Sequence, residues 1–112
     1  MRISICHCLD CQRRTGAPFG MQARFARESV SVTGEAREFT RKGDSGGTVT
    51  FNFCPRCGST VYWELSGVPG VYAIAVGAFA DPGFPAPGVS VYGTRRHDWV
   101  DLVGLPDIVH LD

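Results

Sequence analysis

Three cysteines stand within six residues near the start of the chain, at Cys6, Cys8 and Cys11. A second pair follows at Cys54 and Cys57, separated by two residues. Spacings this short let sulfur atoms converge on one ion, because the chain between them can fold back on itself. Thiolate is a soft ligand, and zinc is the divalent metal that such spacings favour. The sequence therefore predicts a zinc site.

The five cysteines can be shared out in two ways. A closed structural zinc site takes four protein ligands, whereas a reactive site takes three and keeps one position exchangeable. In one arrangement, Cys8 and Cys11 join Cys54 and Cys57 in a closed four-thiolate site, and Cys6 is spare. In the other, Cys6, Cys8 and Cys11 hold one zinc, which would keep an incoming thiol as a thiolate at neutral pH. The residues alone leave both arrangements open.

Length and charge narrow the class of protein. The 112 residues suit one domain, residues 1–112, and 11 basic residues balance 11 acidic ones. Zero formal charge argues against nucleic-acid binding or membrane-surface attachment driven by bulk charge. No apolar run is long enough to span a membrane, and no export signal precedes Cys6. We therefore expect a cytoplasmic protein with reduced thiols, in which metal binding is favoured over disulfides.

Short alternating runs predict a mainly β domain of several short antiparallel strands. Strands are expected at residues 21–25, 29–33, 48–53, 59–65, 71–76 and 89–92. Glycine- and proline-rich connectors separate them at residues 42–47, 67–70 and 81–88. A single short helix is expected around residues 10–14, directly after Cys8.

The motifs resemble those of a known family. Residues 6–18 (CHCLDCQRRTGAP) look like the first signature of the glutathione-dependent formaldehyde-activating (GFA) family, which also includes centromere protein V. Residues 53–59 (FCPRCGS) are similar to its second motif, and residues 75–82 (AVGAFADP) to its third. Trp99 would match a tryptophan near the family's end.

The resemblance implies a tent-like β fold around zinc and two zinc sites. It assigns the catalytic zinc to the triad of Cys6, Cys8 and Cys11. It assigns a structural zinc to Cys54 and Cys57 together with a Cys-x-Cys from an N-terminal strand, a segment that the printed sequence lacks. We therefore expect one or two zinc ions, and sheet edges left bare by that segment could pair in a homo-oligomer. Cys6 or Cys8 could alternatively complete four ligands with the second pair.

Two classes of function remain open. The first is a carbon–sulfur lyase that joins a thiol such as glutathione to a small aldehyde such as formaldehyde, as the resemblance implies. Arg13 and Arg14 follow the triad and could grip substrate carboxylates, or could be solvated surface arginines. The second is a non-catalytic, zinc-stabilised binding module with a single four-cysteine site. Nucleic-acid or cytoskeletal binding ranks below both, because the net charge is zero.

Overall fold

Eight strands form one sheet in the computed structural model, which describes residues 1–43 and 46–112. The strands are β1 (Arg2–Cys6), β2 (Gly20–Ala26), β3 (Arg37–Lys42), β4 (Thr48–Phe53), β5 (Thr60–Leu65), β6 (Val71–Ala75), β7 (Val89–Val91) and β8 (Val109–Leu111). The helix α1 (Leu9–Thr15) connects β1 to β2. Short 3-10 turns lie at Arg27–Ser29, Val76–Phe79 and Gly93–Arg95. The sheet order is β3-β4-β5-β6-β2-β1-β7-β8.

The mainly β prediction is confirmed, and most strands lie where the alternation indicated. Five of the six expected runs correspond to β2, β4, β5, β6 and β7, and the expected helix is α1. Most pairings are antiparallel, but β7 runs parallel to both β1 and β8. Alternation does not reveal strand direction, because the side-chain period is two in either case. The connector expected at residues 42–47 lies partly outside the described residues.

The strand expected at residues 29–33 was wrong. The pairing of β2 with its neighbour ends at Ala26, and the chain then turns through Arg27–Ser29 and continues without strand structure to Gly34. Val30 and Val32 instead line an apolar surface groove. Alternating valines can pack against a surface in this way without joining a hydrogen-bonded ladder.

Two small apolar clusters lie on opposite faces of the sheet. Ile3, Ala23 and Val76 form the core of one face. On the other face, Phe51 and Trp63 pack beside Ala73, which lies opposite Trp63 in the β5–β6 pairing. The partly buried Leu65 and Ala75 pack against this second cluster.

Candidate functional site

A cleft of about 300 Å³ opens on the face that carries Phe51 and Trp63. Its lining is unusual because sulfur, guanidinium and aromatic groups share one cavity. The lining includes three cysteines, four arginines, three aromatic side chains and one carboxylate: Cys6, Cys8, Cys11, Arg2, Arg14, Arg24, Arg41, Phe51, Trp63, Tyr92 and Asp10. The cleft therefore combines metal-binding groups with an excess of positive charge, because four arginines outnumber the one carboxylate, although the formal net charge of the chain is zero.

The sulfur atoms of Cys6, Cys8 and Cys11 all lie within 4.8 Å of one another. Cys6 ends β1, Cys8 caps the start of α1, and Cys11 lies in its first turn. The Sγ atom of Cys8 accepts the backbone N–H of Cys11 at 3.3 Å, which fixes the turn between them. Gly16 caps the C-terminal end of the helix with a left-handed φ of 68°, a conformation that suits glycine.

The sulfur positions fit a zinc ion. Sulfurs at ~2.3 Å from a tetrahedral zinc lie roughly 3.8 Å apart, within the separation observed here. The three thiols also shift one another's pKa values. Hydrogen bonds from Cys11 and Cys6 lower the pKa of Cys8. Hydrogen bonds with Cys11 and Cys8, together with burial, raise the pKa of Cys6. Such a cluster holds one thiolate readily, and a divalent cation would replace the remaining protons.

The group supplies three protein ligands, which leaves a tetrahedral ion one exchangeable position. Among the described residues, no fourth histidine, cysteine or carboxylate belongs to it. His7 is fully buried, and its Nε2 lies 3.1 Å from the Oγ of Ser90 rather than at the sulfurs. Asp10 forms ion pairs with Arg13 and Arg41, both at 3.2 Å. The nearest potential ligands in sequence are thus engaged elsewhere.

Cys54 and Cys57 lie on the turn after β4, outside the group of three. The Cys54 N–H donates to the carbonyl of Ser59 and the Gly58 N–H to the carbonyl of Cys54, at 2.9 and 2.8 Å. Gly58 has a φ of 77°, which allows this tight turn. Hydrogen bonds from Ser59 and then from Cys54 lower the pKa of Cys57. The pair could hold zinc, but it does not join Cys8 and Cys11 in one four-thiolate group.

The two consecutive arginines have different surroundings. The guanidinium of Arg14 lies over the Trp63 ring at 4.4 Å, and its Nη2 is buried without a hydrogen-bond partner. The side chain of Arg13 is 73% exposed and pairs with Asp10. Arg14 therefore lines the cleft beside the thiols, and Arg13 lies outside it. The sequence analysis gave both arginines the same possible role, because the orientation of the helix determines which of them lines the cleft.

Three further arginines of the cleft were missed by the sequence reasoning. Arg2 and Arg24 come from β1 and β2, and Arg41 comes from β3 at the sheet edge. Arg41 lies over the Phe51 ring at 5.2 Å. They are distant in sequence, and only strand pairing brings them together. Phe51 and Trp63 are buried and also form a wall of the cleft.

A mainly β domain whose cleft gathers three thiols defines a candidate zinc protein with an exchangeable ligand position. The model of the glutathione-dependent formaldehyde-activating enzyme family matches residues 1–95, and the chain belongs to that family. A search of curated proteins returned no match. None of the helices in the described residues has the length and hydropathy required to cross a membrane.

Proposed function

We propose that this protein is a zinc-dependent carbon–sulfur lyase that joins a glutathione-like thiol to a small aldehyde such as formaldehyde. The observation that carries the proposal is the convergence of three thiols in a cleft rich in guanidinium groups. The family description names the two substrates. We further propose that it acts in the cytoplasm, where glutathione is abundant and thiols stay reduced.

The reaction needs a thiolate, a carbonyl carbon and a proton for the carbonyl oxygen. The sulfur electron pair forms the new carbon–sulfur bond, the carbonyl π pair moves to oxygen, and that oxygen takes up the proton the thiol released. Zinc held by Cys6, Cys8 and Cys11 would supply Lewis acidity that lowers the pKa of an incoming thiol.

The chain's own contribution is orientation and charge. The Arg14 guanidinium is held against Trp63 at 4.4 Å, and Arg14 acts electrostatically on Cys11. Its buried and unpartnered Nη2 is suited to donate to negative charge that develops on the aldehyde oxygen. We assign Arg14 this role. The apolar wall of Phe51 and Trp63 limits water around the charge and so strengthens the interaction.

The direct test measures glutathione-dependent formaldehyde consumption by the purified, zinc-loaded chain. We expect a rate above that of the uncatalysed mixture, loss of the excess rate after chelation, and recovery when zinc is added back. A fully zinc-loaded sample that matches the uncatalysed rate would refute the proposal.

Substituting Gly20 tests the position of Arg14 without touching its charge. A Cβ at Gly20 would lie 2.7 Å from the Arg14 Nη2, so the flexible end of that side chain must move. We expect Gly20→Ala to keep zinc and its melting temperature, and to lower kcat/KM by about 10- to 100-fold, because misplaced catalytic groups are costly. The matched control is Gly67→Ala, since nothing lies within 4 Å of a Cβ there. Equal kcat/KM in the two variants would contradict the role assigned to Arg14.

A further inference from the structure

One side of the β1–β2 pair presents a ladder of polar groups along the floor of the cleft. The register places Arg2 opposite Arg24 (the arginine rung), Ser4 opposite Gln22 (the middle rung), and Cys6 opposite Gly20 (the cysteine rung). Alternate residues of a strand face the same side, so all three rungs point into the cleft, and five of the six residues line it directly. The ladder thus leads from a zinc-holding thiol to a pair of arginines.

The arginine rung is electrostatically unfavourable in the ligand-free protein. Like charges directly opposite each other on paired strands are destabilising. No ion pair reaches Arg2 or Arg24 within residues 1–43 and 46–112. The Nε of Arg24 is buried without a hydrogen-bond partner, and burial followed by the charge of Arg2 lowers the pKa of Arg24. A local conflict of this kind is expected where a ligand supplies the missing partner.

The middle rung offers a free acceptor. The Gln22 side chain donates through Nε2 to the Oγ of Ser4 at 2.8 Å, which fixes the orientation of the amide. Its Oε1 is buried and has no partner among the described residues. A buried acceptor left unpaired carries a desolvation cost that an N–H group of a ligand would relieve.

The spacing of the rungs gives the length of the ligand. Strand residues rise about 3.3 Å each, so the middle rung lies about 7 Å and the arginine rung about 13 Å from Cys6 along the backbone. Arginine side chains can reach back over part of this distance. A short peptide-like acid in extended conformation, with its sulfur at the thiol end, spans such a floor.

We propose that the β1–β2 ladder is the part of the cleft that selects a thiol acid as substrate. Arg2 and Arg24 bind the carboxylate of this acid, and Gln22 Oε1 accepts an amide N–H from it. The inference rests on the proposed function, because it names the features of the thiol substrate that the same cleft selects. It assigns binding roles to three residues that lie outside the cysteine motifs.

The test is calorimetric titration with S-methylglutathione, whose blocked sulfur makes binding independent of turnover. We expect Arg24→Gln and Arg2→Gln to raise the Kd by about 10- to 100-fold, the usual effect of losing a charged hydrogen bond. The control Arg37→Gln removes one positive charge from an exposed position on β3, outside the cleft, and should leave the Kd unchanged. The diethyl ester of the probe should bind the unmodified protein weakly and respond little to Arg24→Gln.

Stability separates a binding role from a structural one. Because Arg24→Gln removes a like-charge repulsion, we expect the ligand-free variant to melt at the same temperature or higher. A Kd for Arg24→Gln equal to that of Arg37→Gln, or no binding of the probe to the unmodified protein, would overturn the inference. The protein could bind the probe in a manner that depends on Arg24 and yet consume no formaldehyde. This result would support the proposed binding roles of the β1–β2 ladder and refute the proposed reaction. Turnover can also be measured with 2-mercaptoethanol, a thiol without a carboxylate. If Arg24→Gln lowered turnover with 2-mercaptoethanol as much as turnover with glutathione, this would count against a carboxylate site.

Discussion

Cys11→Ser should cost the protein its triad-bound zinc and its turnover together. Cys11 contributes one of three sulfurs that lie within 4.8 Å of one another. Among the described residues, no other cysteine, histidine or carboxylate belongs to this group and could replace the Cys11 sulfur. Changes in the surroundings of a metal ligand already weaken binding by 10- to 100-fold, so loss of a ligand should exceed about 100-fold. Competition against a chromogenic zinc chelator measures the affinity, and formaldehyde consumption measures the activity.

The control for this substitution is Leu9→Ala, which changes the same helix at a side chain that is 42% exposed. It should retain the zinc affinity of the unmodified protein. Comparison with Cys11→Ser therefore separates loss of a ligand from loss of the helix. If Cys11→Ser kept the triad zinc at full affinity with unchanged turnover, the three sulfurs would not be the ligands of a reactive zinc.

Arg14→Ala should lower kcat/KM by about 100-fold or more while zinc remains bound. The loss of one donor aimed at a developing oxyanion typically costs 100- to 1,000-fold in turnover. Arg14 has the required features, since its Nη2 is buried and unpartnered and its guanidinium is held over Trp63. Steady-state kinetics with zinc content measured on the same samples tests this expectation.

Arg13→Gln provides the contrast at the neighbouring position. The exposed side chain of Arg13 does not line the cleft. It pairs with the cleft residue Asp10, and exposed ion pairs contribute little to stability. We expect kcat/KM to fall far less than in Arg14→Ala. Arg14→Lys tests geometry, because lysine keeps the charge but loses the planar group that stacks on the indole. Equal losses in Arg13→Gln and Arg14→Ala would show that general positive charge, not the placement of Arg14, supports the reaction.

The thiol group could be predicted from the sequence because its members are close along the chain. The spacing of Cys6, Cys8 and Cys11 restricts how far their sulfurs can separate, and the strand end followed by a helix turn brings them together. Alternation likewise located β4 and β5, whose buried residues Phe51 and Trp63 meet side by side. Local sequence patterns therefore sufficed to predict the group of three thiols and most strands of the sheet.

The charged part of the cleft could not be predicted in the same way. Arg24 and Arg41 come from β2 and β3, and their meeting at one cavity depends on strand order and register. A register shift of one residue would turn Arg24 to the opposite face. The run REFTRK of β3 lacks regular apolar alternation, so neither the strand nor the position of Arg41 was evident. The parallel position of β7 beside β1 was also not evident, because alternation locates a strand without giving its direction or its neighbours.

The most direct test is X-ray absorption at the zinc edge for a Cys54→Ser, Cys57→Ser double variant, in which only the triad supplies thiolates. We expect a zinc ion bound by three sulfurs and one lighter atom, and a change to four sulfurs when glutathione is added. A spectrum with a fourth ligand from a protein side chain that glutathione does not displace would contradict this expectation.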